Sequence, residues 1–183
     1  MAQAFAVWLT GLPASGKSAI ASVLARQLAE AGLAVEVLES DALRRILTPE
    51  PTYSAAERDL FYRAVGYFAG RLVAHGVPVI VDATGHRRLY RELARSVIAQ
   101  FVEVAVVCPL AVCQQRDRKG TYRGGQVGIH TTVPGLQVPY EAPVNPEVTV
   151  ETATQSPEVA AQRILDALRT RGLLETVRER PSA

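Results

Sequence analysis

The sequence predicts an α/β fold in which helices cover both faces of a mainly parallel, five-stranded sheet, as a three-layer sandwich. Four short apolar runs are nearly continuous rather than alternating, which is typical of parallel strands buried on both faces. Segments with helical spacing separate these runs, so strands and helices alternate along the chain. The runs are AFAVWL at 4–9, LAVEVL at 33–38, VPVIV at 77–81 and FVEVAVV at 101–107, with a weaker fifth strand expected at 148–150.

The first and last helices carry apolar stripes and end signals. The first follows a glycine-rich turn and is predicted to end near Gly32. The last is predicted to have Ser156 as its N-cap and Pro157 at its first helical position. The apolar stripes are Ile20, Val23, Leu24 and Leu28 in the first helix, and Ile164, Leu165 and Leu168 in the last.

A middle helix is predicted to begin at Ser54. Glu57 stands three residues later, as in a capping box, where a serine and a glutamate satisfy the free backbone N–H groups of a helix start. We expect this helix to bury the apolar side chains of Phe61, Val65, Phe68 and Leu72.

Composition limits the classes of function. The 183 residues, 48% hydrophobic and 21% charged, are typical of one globular domain over 1–183, with a disordered tail expected at 176–183. A net charge of +2 without long Lys/Arg runs argues against nucleic acid and favours a small anionic partner. No apolar stretch is long enough to span a membrane.

The two cysteines, Cys108 and Cys113, lack the spacing of a zinc site, and Cys113 falls in a helical pattern that predicts core packing. We therefore expect a reduced, cytoplasmic protein. The sequence leaves the oligomeric state open, with a homodimer as one alternative.

A phosphate-binding loop is predicted between the first strand and the first helix. Residues 11–18 read GLPASGKS and match G-x-x-x-x-G-K-S, a Walker A motif in its required context. The two glycines let backbone N–H groups turn toward phosphate, Lys17 reaches the β/γ oxygens, and Ser18 can bind Mg²⁺. This pattern predicts a P-loop NTPase-type fold that binds ATP with Mg²⁺, and a chance glycine turn is the alternative. The predicted ATP-binding loop comprises Gly11, Leu12, Pro13, Ala14, Ser15, Gly16, Lys17 and Ser18.

The loop alone does not distinguish hydrolysis, phosphate transfer and a nucleotide-operated switch. Asp41 lies just past the second strand, where it can orient an acceptor hydroxyl beside the γ-phosphate, or cap the helix predicted at 42–47. Asp82 ends the third strand and resembles a Walker B carboxylate that holds a magnesium-bound water, with a turn or cap role as the alternative. Four arginines near these strand ends suit anionic ligands, or else a solvated surface: Arg44, Arg58, Arg87 and Arg88.

The segment 117–146 has little regular pattern and is rich in glycine, proline and basic residues. Loops of this length inside a compact domain are usually functional or disordered, and the charge favours a lid over a bound anion. We therefore predict a lid loop at about 117–146.

Two motifs carry a family resemblance. CPLAVCQQRDRKGTY at 108–122 and PYEAP at 139–143 strongly resemble the adenylylsulfate (APS) kinases, and with GLPASGKS the resemblance covers most of the chain. It implies transfer of the γ-phosphate of ATP to the 3′-hydroxyl of adenosine 5′-phosphosulfate (APS), which gives 3′-phosphoadenylyl sulfate in sulfate assimilation.

The resemblance also implies roles for single residues. Asp41 and Arg44 match the acidic residue and the arginine of the D-x-x-R pattern, and Arg58 matches an arginine that the family uses on the substrate. Lys17, Asp41 and Thr84 are thus assigned to the catalytic site. An ATP contact is assigned to Arg116, and Asp117, Gly120 and Tyr122 complete the lid motif. Substrate contacts are assigned to Asp41, Arg44, Arg58, Arg87, Lys119 and Val133.

The sequence departs from the family pattern at several positions. Where many members have D-G-D-N and I-S-P-x-R, this chain has ESDA at 39–42 and ATGHR at 83–87. Thr84 takes the position of a serine proposed as a phosphorylated intermediate in the family; because direct in-line transfer needs none, we expect Thr84 to hydrogen-bond within its loop. Val133 lies where many members place a phenylalanine that stacks on the substrate adenine, and Phe61 replaces a polar residue near Arg58.

Two other functions remain alternatives at this point. The stretch VDATGHRR is similar to kinases of the same fold that act on another hydroxyl, such as that of a nucleoside, sugar, antibiotic or polynucleotide end. A nucleotide-binding module without catalysis is the second alternative, but such a module would be expected to lack Lys17 or Asp41, and both are present.

Overall fold

A five-stranded parallel sheet forms the core of the protein, which a computed structural model describes over residues 3–174. The strands are β1 (Ala6–Thr10), β2 (Glu36–Glu39), β3 (Val79–Asp82), β4 (Phe101–Val107) and β5 (Val148–Glu151). Their order is β2-β3-β1-β4-β5, and each neighbouring pair is parallel. The predicted α/β fold and its five strands are confirmed, whereas the tail predicted at 176–183 lies outside the described residues.

Helices fill the connections between the strands. They are α1 (Lys17–Glu30), α2 (Ser40–Leu47), α3 (Ala55–Ala74), α4 (Arg88–Val97), α5 (Leu110–Gln115), α6 (Thr121–Gln126) and α7 (Pro157–Thr170). None of the helices between residues 3 and 174 is both long enough and apolar enough to cross a membrane.

The two faces of the sheet have separate apolar cores, which makes the molecule a three-layer sandwich. One core joins strand side chains such as Val7 and Val104 to α1 and α7. The other joins Trp8 and Val81 to α3 and α4. Neighbouring residues of β1 and β4 therefore point into opposite cores, as the two-residue period of a strand requires.

The predicted helix starts are confirmed. The Ser54 hydroxyl accepts a hydrogen bond from the backbone N–H of Glu57 at 3.3 Å, and Ser156 accepts one from Val159 at 3.3 Å. One burial prediction was wrong: Phe68 is 38% exposed, because it lies beside the apolar stripe of α3 rather than on it, whereas Phe61 is 2% exposed.

The segment 117–146 is more regular than predicted. It contains the short helix α6, and the carboxylate of Asp117 accepts hydrogen bonds from the backbone N–H groups of Thr121 at 2.9 Å and Tyr122 at 2.7 Å. Asp117 thus stabilises the first turn of α6, which two glycines would otherwise weaken.

The carboxyl ends of the strands position the candidate site. The phosphate loop follows β1, Asp41 follows β2, Thr84 follows β3 and Thr152 follows β5. Because all five strands run in one direction, these residues lie at the same edge of the sheet.

Candidate active site

One large cavity lies at this edge of the sheet. Its volume is about 1390 Å³, and its wall combines the phosphate loop, the ends of β2 and β3, the segment 115–134 and the residues after β5. Pockets for a single small molecule usually measure about 300–1,000 Å³. The cavity therefore has room for two nucleotide-sized ligands.

The phosphate loop curls around the start of α1. Gly16 has φ of 99° and precedes the helix, and Ala14 has φ of 57°, both in the left-handed region. Such a loop can turn its backbone N–H groups toward an anion. At Gly11 a side chain would collide with the backbone carbonyl of Val106, so this turn requires glycine.

The eight predicted loop residues divide into two groups. Pro13, Ala14, Gly16, Lys17 and Ser18 line the cavity, whereas Gly11, Leu12 and Ser15 do not. Gly11 and Ser15 are buried, and Leu12 packs against the apolar cluster beneath the lid. Gly11, Leu12 and Ser15 therefore support the loop on the side that faces away from the cavity.

Lys17 is held inside the loop. Its Nζ donates hydrogen bonds to the backbone carbonyls of Gly11 at 3.0 Å and Leu12 at 2.8 Å. Burial lowers the pKa of Lys17, and the nearby carboxylate of Asp82 opposes that shift. The two carbonyls thus fix the ammonium group of Lys17 beside the loop that is expected to bind phosphate.

Thr152 braces the loop, and sequence analysis missed it. Its Oγ1 donates to the Ser15 carbonyl at 2.7 Å, and its backbone N–H donates to Val107 at 3.0 Å. Arg116 donates to the Thr152 carbonyl at 3.0 Å, which places this predicted ATP-binding residue beside the phosphate loop. The only sequence signal was a polar residue directly after the last strand.

Two carboxylates, Asp82 and Asp41, line the cavity near Lys17. Asp82 is the last residue of β3 and is 4% exposed. Asp41 lies in the first turn of α2, and the N-cap of that helix is Glu39, so the predicted capping role of Asp41 is wrong. The carboxylate of Asp41 forms an ion pair with Lys119 of the lid.

The residues present fit a magnesium ion. Between residues 3 and 174 there is no group of three or more His, Cys, Asp and Glu side chains that would hold a metal alone. Mg²⁺ usually keeps several waters and binds through one or two carboxylates plus substrate phosphates. Ser18 and Asp82 both line the cavity and supply oxygens of this kind.

The guanidinium group of Arg44 is held by an ion pair and by two aromatic rings. Arg44 is 8% exposed, and its NH1 bonds to Glu57 Oε1 at 3.2 Å. Its guanidinium carbon lies 3.9 Å from the ring centre of Phe61 and 4.9 Å from that of Tyr53. The ion pair and the two rings fix the orientation of this cation in the cavity wall.

Arg58 lies beside Arg44 and connects α3 to the lid. Its NH2 donates to the Thr132 carbonyl at 2.7 Å, and its Nε donates to the Tyr53 carbonyl at 3.0 Å. Burial lowers the pKa of Arg58. Two neighbouring, buried guanidinium groups thus lie in this part of the cavity wall.

Tyr53 is a second residue that sequence analysis missed. Between residues 3 and 174, the non-glycine residues with positive φ are Ala14 and Tyr53, and both line the cavity. Tyr53 has φ of 52°, and its side chain is 36% exposed. Backbone strain of this kind concentrates at functional sites, but an aromatic residue before a helix cap gave no such signal.

The remaining predicted residues differ in position. Thr84 lines the cavity and Lys119 reaches it from the lid. Val133 also lines it, but it is only 4% exposed and packs against Cys113 and Tyr122.

Arg87 lies outside the cavity wall in this structure, so its predicted substrate contact stays a prediction. Its guanidinium pairs with Asp59 on the surface at 3.3 Å instead. Arg88, the neighbouring arginine, also lies outside the cavity wall and has its Nε 3.9 Å from Glu141.

The comparisons with known proteins agree with this geometry. The family model for adenylylsulphate kinase matches residues 3–151. The adenylyl-sulfate kinase of Synechococcus sp. (strain JA-3-3Ab) is 41% identical over 92% of this chain and 96% of its own length. The APS kinase of Mycobacterium tuberculosis, solved with AMPPNP and APS, superposes with a TM-score of 0.87 at 35% identity, over 92% of this chain and 99% of that one.

A hexameric APS kinase from Thiobacillus denitrificans matches with a TM-score of 0.71 at 29% identity, over 94% of this chain and 30% of that one. A gluconokinase from Sinorhizobium meliloti is 18% identical and shares the fold alone. The family match spans most of the described residues, including the phosphate loop, both carboxylates and the lid motif. This chain belongs to the adenylylsulphate kinase family.

Proposed function

We propose that this chain transfers the γ-phosphate of ATP to the 3′-hydroxyl of APS and releases 3′-phosphoadenylyl sulfate. It would thus be a phosphotransferase with an alcohol group as acceptor, and would act in sulfate assimilation. The observation that carries the proposal is the shared cavity, whose wall contains the phosphate loop, the buried pair Arg44 and Arg58, and Asp41.

On the ATP side, the loop N–H groups and Lys17 would hold the phosphates. Ser18 and Asp82 would hold Mg²⁺, which supplies charge neutralisation for the β- and γ-phosphates. Arg116 lies beside the loop through its bond to Thr152, so its cation would act on the same phosphates. Arginine and lysine charges placed in advance stabilise the charge that develops on the transferring group.

On the acceptor side, Asp41 would orient the 3′-hydroxyl and accept its proton. Lys119 of the lid forms an ion pair with this carboxylate, and the phosphates of a bound nucleotide would compete with Asp41 for its ammonium group. Thr84 contributes a hydrogen bond in the same wall, and direct in-line transfer requires no phosphorylated intermediate on its hydroxyl.

The acceptor itself is a sulfated nucleotide with an anionic end and an aromatic end. Arg44 and Arg58 supply two fixed guanidinium groups for the sulfate and 5′-phosphate. Both guanidinium groups lie over the ring of Tyr53, and the part of this ring that stays exposed would stack on the adenine. Val133 would contribute only an apolar contact, because its side chain is buried in the cluster with Cys113 and Tyr122.

The lid would exclude water during transfer. The hydroxyl of Tyr122 donates to the Pro13 carbonyl at 3.1 Å, so α6 is already attached to the phosphate loop. A closed lid protects the γ-phosphate from hydrolysis and strengthens the charge interactions inside the cavity.

The direct experiment is product analysis. The purified protein, ATP, Mg²⁺ and APS should give ADP and 3′-phosphoadenylyl sulfate in equal amounts, as measured by chromatography and mass spectrometry. A folded Lys17→Ala variant supplies the background, because it lacks the phosphate-binding cation. ADP formed without phosphorylated APS would contradict the proposal.

Two further predictions concern the setting of the enzyme. A homodimer stays a prediction, which exposed apolar side chains of α3 and α4, such as Leu60 and Val97, support and which sedimentation would test. A cytoplasmic location also stays a prediction, and the free, buried thiols of Cys108 and Cys113 support it.

A further inference from the structure

Arg91 is a buried cation that none of the steps above uses. It lies on α4, is 2% exposed, and does not line the cavity. A buried charge requires a partner and full hydrogen bonding, since a lone one is very costly. The groups that Arg91 contacts therefore indicate its structural role.

The guanidinium of Arg91 joins three separate parts of the chain. Its Nε donates to Glu103 Oε1 on β4 at 2.5 Å, which neutralises the charge. Its NH1 donates to the carbonyl of Gly85, and its NH2 donates to the carbonyl of Glu141 at 2.7 Å. One side chain thus holds two backbone carbonyls that are remote from each other in sequence.

The first carbonyl belongs to the loop after β3, which carries Thr84 into the cavity. This loop is fixed from several sides: Trp8 donates to the Ala83 carbonyl at 3.0 Å, and Thr10 donates to the Thr84 carbonyl at 2.6 Å. The Gly85 N–H donates to the hydroxyl of Tyr62 at 3.1 Å, and Tyr62 is itself in the cavity wall.

The second carbonyl belongs to the C-terminal end of the lid segment. The Glu141 N–H donates to the His86 carbonyl at 2.8 Å, and the Tyr140 hydroxyl lies 3.0 Å from Thr10 Oγ1. The end of the lid is therefore attached to the same loop that Arg91 holds.

Gly85 and Arg91 fit each other closely. Gly85 has φ of 50°, and a Cβ at this position would lie 3.2 Å from Arg91 Cγ and 3.3 Å from the ring of Trp8. A proline cannot adopt this φ, because its ring fixes φ near −65°. A proline at this position would therefore require another backbone, whereas with glycine the loop lies directly against Arg91.

We propose that Arg91 is a positioning residue for the acceptor, which fixes the Thr84 loop and the end of the lid relative to each other. The phosphate loop has its own supports in Lys17 and Thr152, so Arg91 acts on the acceptor side alone. The choice of APS as acceptor rests on the proposed function, whereas the role of Arg91 rests on the contacts above.

Arg91→Lys separates positioning from charge. A lysine keeps the cation near Glu103 but cannot form the fork that reaches both carbonyls. We expect the KM for APS to rise about tenfold, as for the loss of one or two buried hydrogen bonds, while the KM for ATP stays within about twofold. An unchanged KM for APS, or an equal rise for both substrates, would overturn the proposal.

Arg95→Gln is the matched control. Arg95 also pairs with Glu103, at 3.3 Å, and with Glu147, but it contacts neither the Thr84 loop nor Glu141. We expect a lower Tm with the KM for APS unchanged. A KM rise equal to that of Arg91→Lys would mean that the effect comes from the loss of stability, and would also overturn the proposal.

Gly85→Ala tests the same contact if Arg91→Lys does not fold. The added Cβ displaces Arg91 without removing any charge, and it should raise the KM for APS alone. Gly76→Ala is its control, because Gly76 has φ of 81° but nothing within 4 Å of the added Cβ. An unchanged KM for APS in Gly85→Ala would count against Arg91. If the wild type prefers another hydroxyl acceptor, the proposed substrate is wrong. The KM values of the same variants for that acceptor and for ATP would then still test the role of Arg91.

Discussion

Replacing Glu57 by glutamine tests how the protein holds Arg44 ready for an anion. Glu57 Oε2 accepts hydrogen bonds from the backbone N–H of Thr52 at 2.6 Å and from its hydroxyl at 2.7 Å. Oε1 accepts from the Tyr53 N–H and from Arg44 NH1, each at 3.2 Å. Burial alone would raise the pKa of Glu57, but these hydrogen bonds and the Arg44 charge lower it.

The size of the effect follows from these contacts. A glutamine has no charge and a single side-chain oxygen, so its amide N–H₂ must face one of the donors that Glu57 accepts. Hydrogen bonds to charged groups contribute about 1.5–3 kcal/mol each. We expect Glu57→Gln to lower the free energy of unfolding by about 2 kcal/mol, which for a chain of this length lowers Tm by about 4–8 °C. Arg44 loses its ion pair, and the KM for APS should rise about tenfold, or about 1.4 kcal/mol.

The assay combines calorimetric Tm values with initial rates at varied APS and saturating ATP and Mg²⁺. Glu158→Gln is the control: Glu158 is also an acidic residue in the first turn of a helix, but it is exposed and outside the cavity wall. It should leave the Tm and the KM for APS nearly unchanged, as is usual for surface substitutions. A lower Tm for Glu57→Gln with an unchanged KM for APS would refute the orienting role of Glu57.

Three other substitutions give separate tests. Asp41→Asn should lower kcat by about 100-fold or more with little change in ATP affinity, and an unchanged kcat would remove Asp41 from catalysis. Tyr53→Ala should weaken APS binding by about 1–3 kcal/mol while Tyr53→Phe keeps it, as calorimetric titration would show; equal losses would exclude stacking. Burial, together with the charges of Arg58 and Arg87, lowers the pKa of His86 to about 4 from 6.5. The unfolded chain therefore binds a proton that the folded protein does not, and stability should fall by up to about 3 kcal/mol as pH falls from 6.5 to 4. The unfolding free energy of His86→Gln, measured with denaturant, should not show this loss between pH 6.5 and 4. If the loss stays the same, other titrating groups cause it.

The sequence predicted the features that depend on local pattern. The strands were visible because both faces of a parallel sheet are covered, so each strand is a short apolar run. The starts of α3 and α7 were visible because Ser54 and Ser156 bond to N–H groups three residues away. The Walker A motif predicted the position of Lys17 because the loop geometry is contained in eight consecutive residues.

The features that sequence analysis missed depend on contacts between distant segments. Thr152 braces the phosphate loop from the far end of the chain, and Tyr53 reaches the cavity through a strained backbone. The helix α6 contains two glycines and is stabilised by Asp117, which lies outside it. Arg87 and Arg91 have the same side-chain chemistry and lie four residues apart, yet one pairs on the surface and the other is buried.

The most direct test of the account is the acceptor preference of the wild-type enzyme. Values of kcat/KM with ATP and Mg²⁺ would be measured for APS and for a panel of nucleosides, sugars and a polynucleotide 5′-end. We predict that APS has the highest value, because Arg44 and Arg58 supply paired charges that the neutral nucleosides and sugars of the panel cannot use. A nucleoside or sugar with a far higher kcat/KM than APS would contradict the substrate assignment, although the protein would still be a kinase.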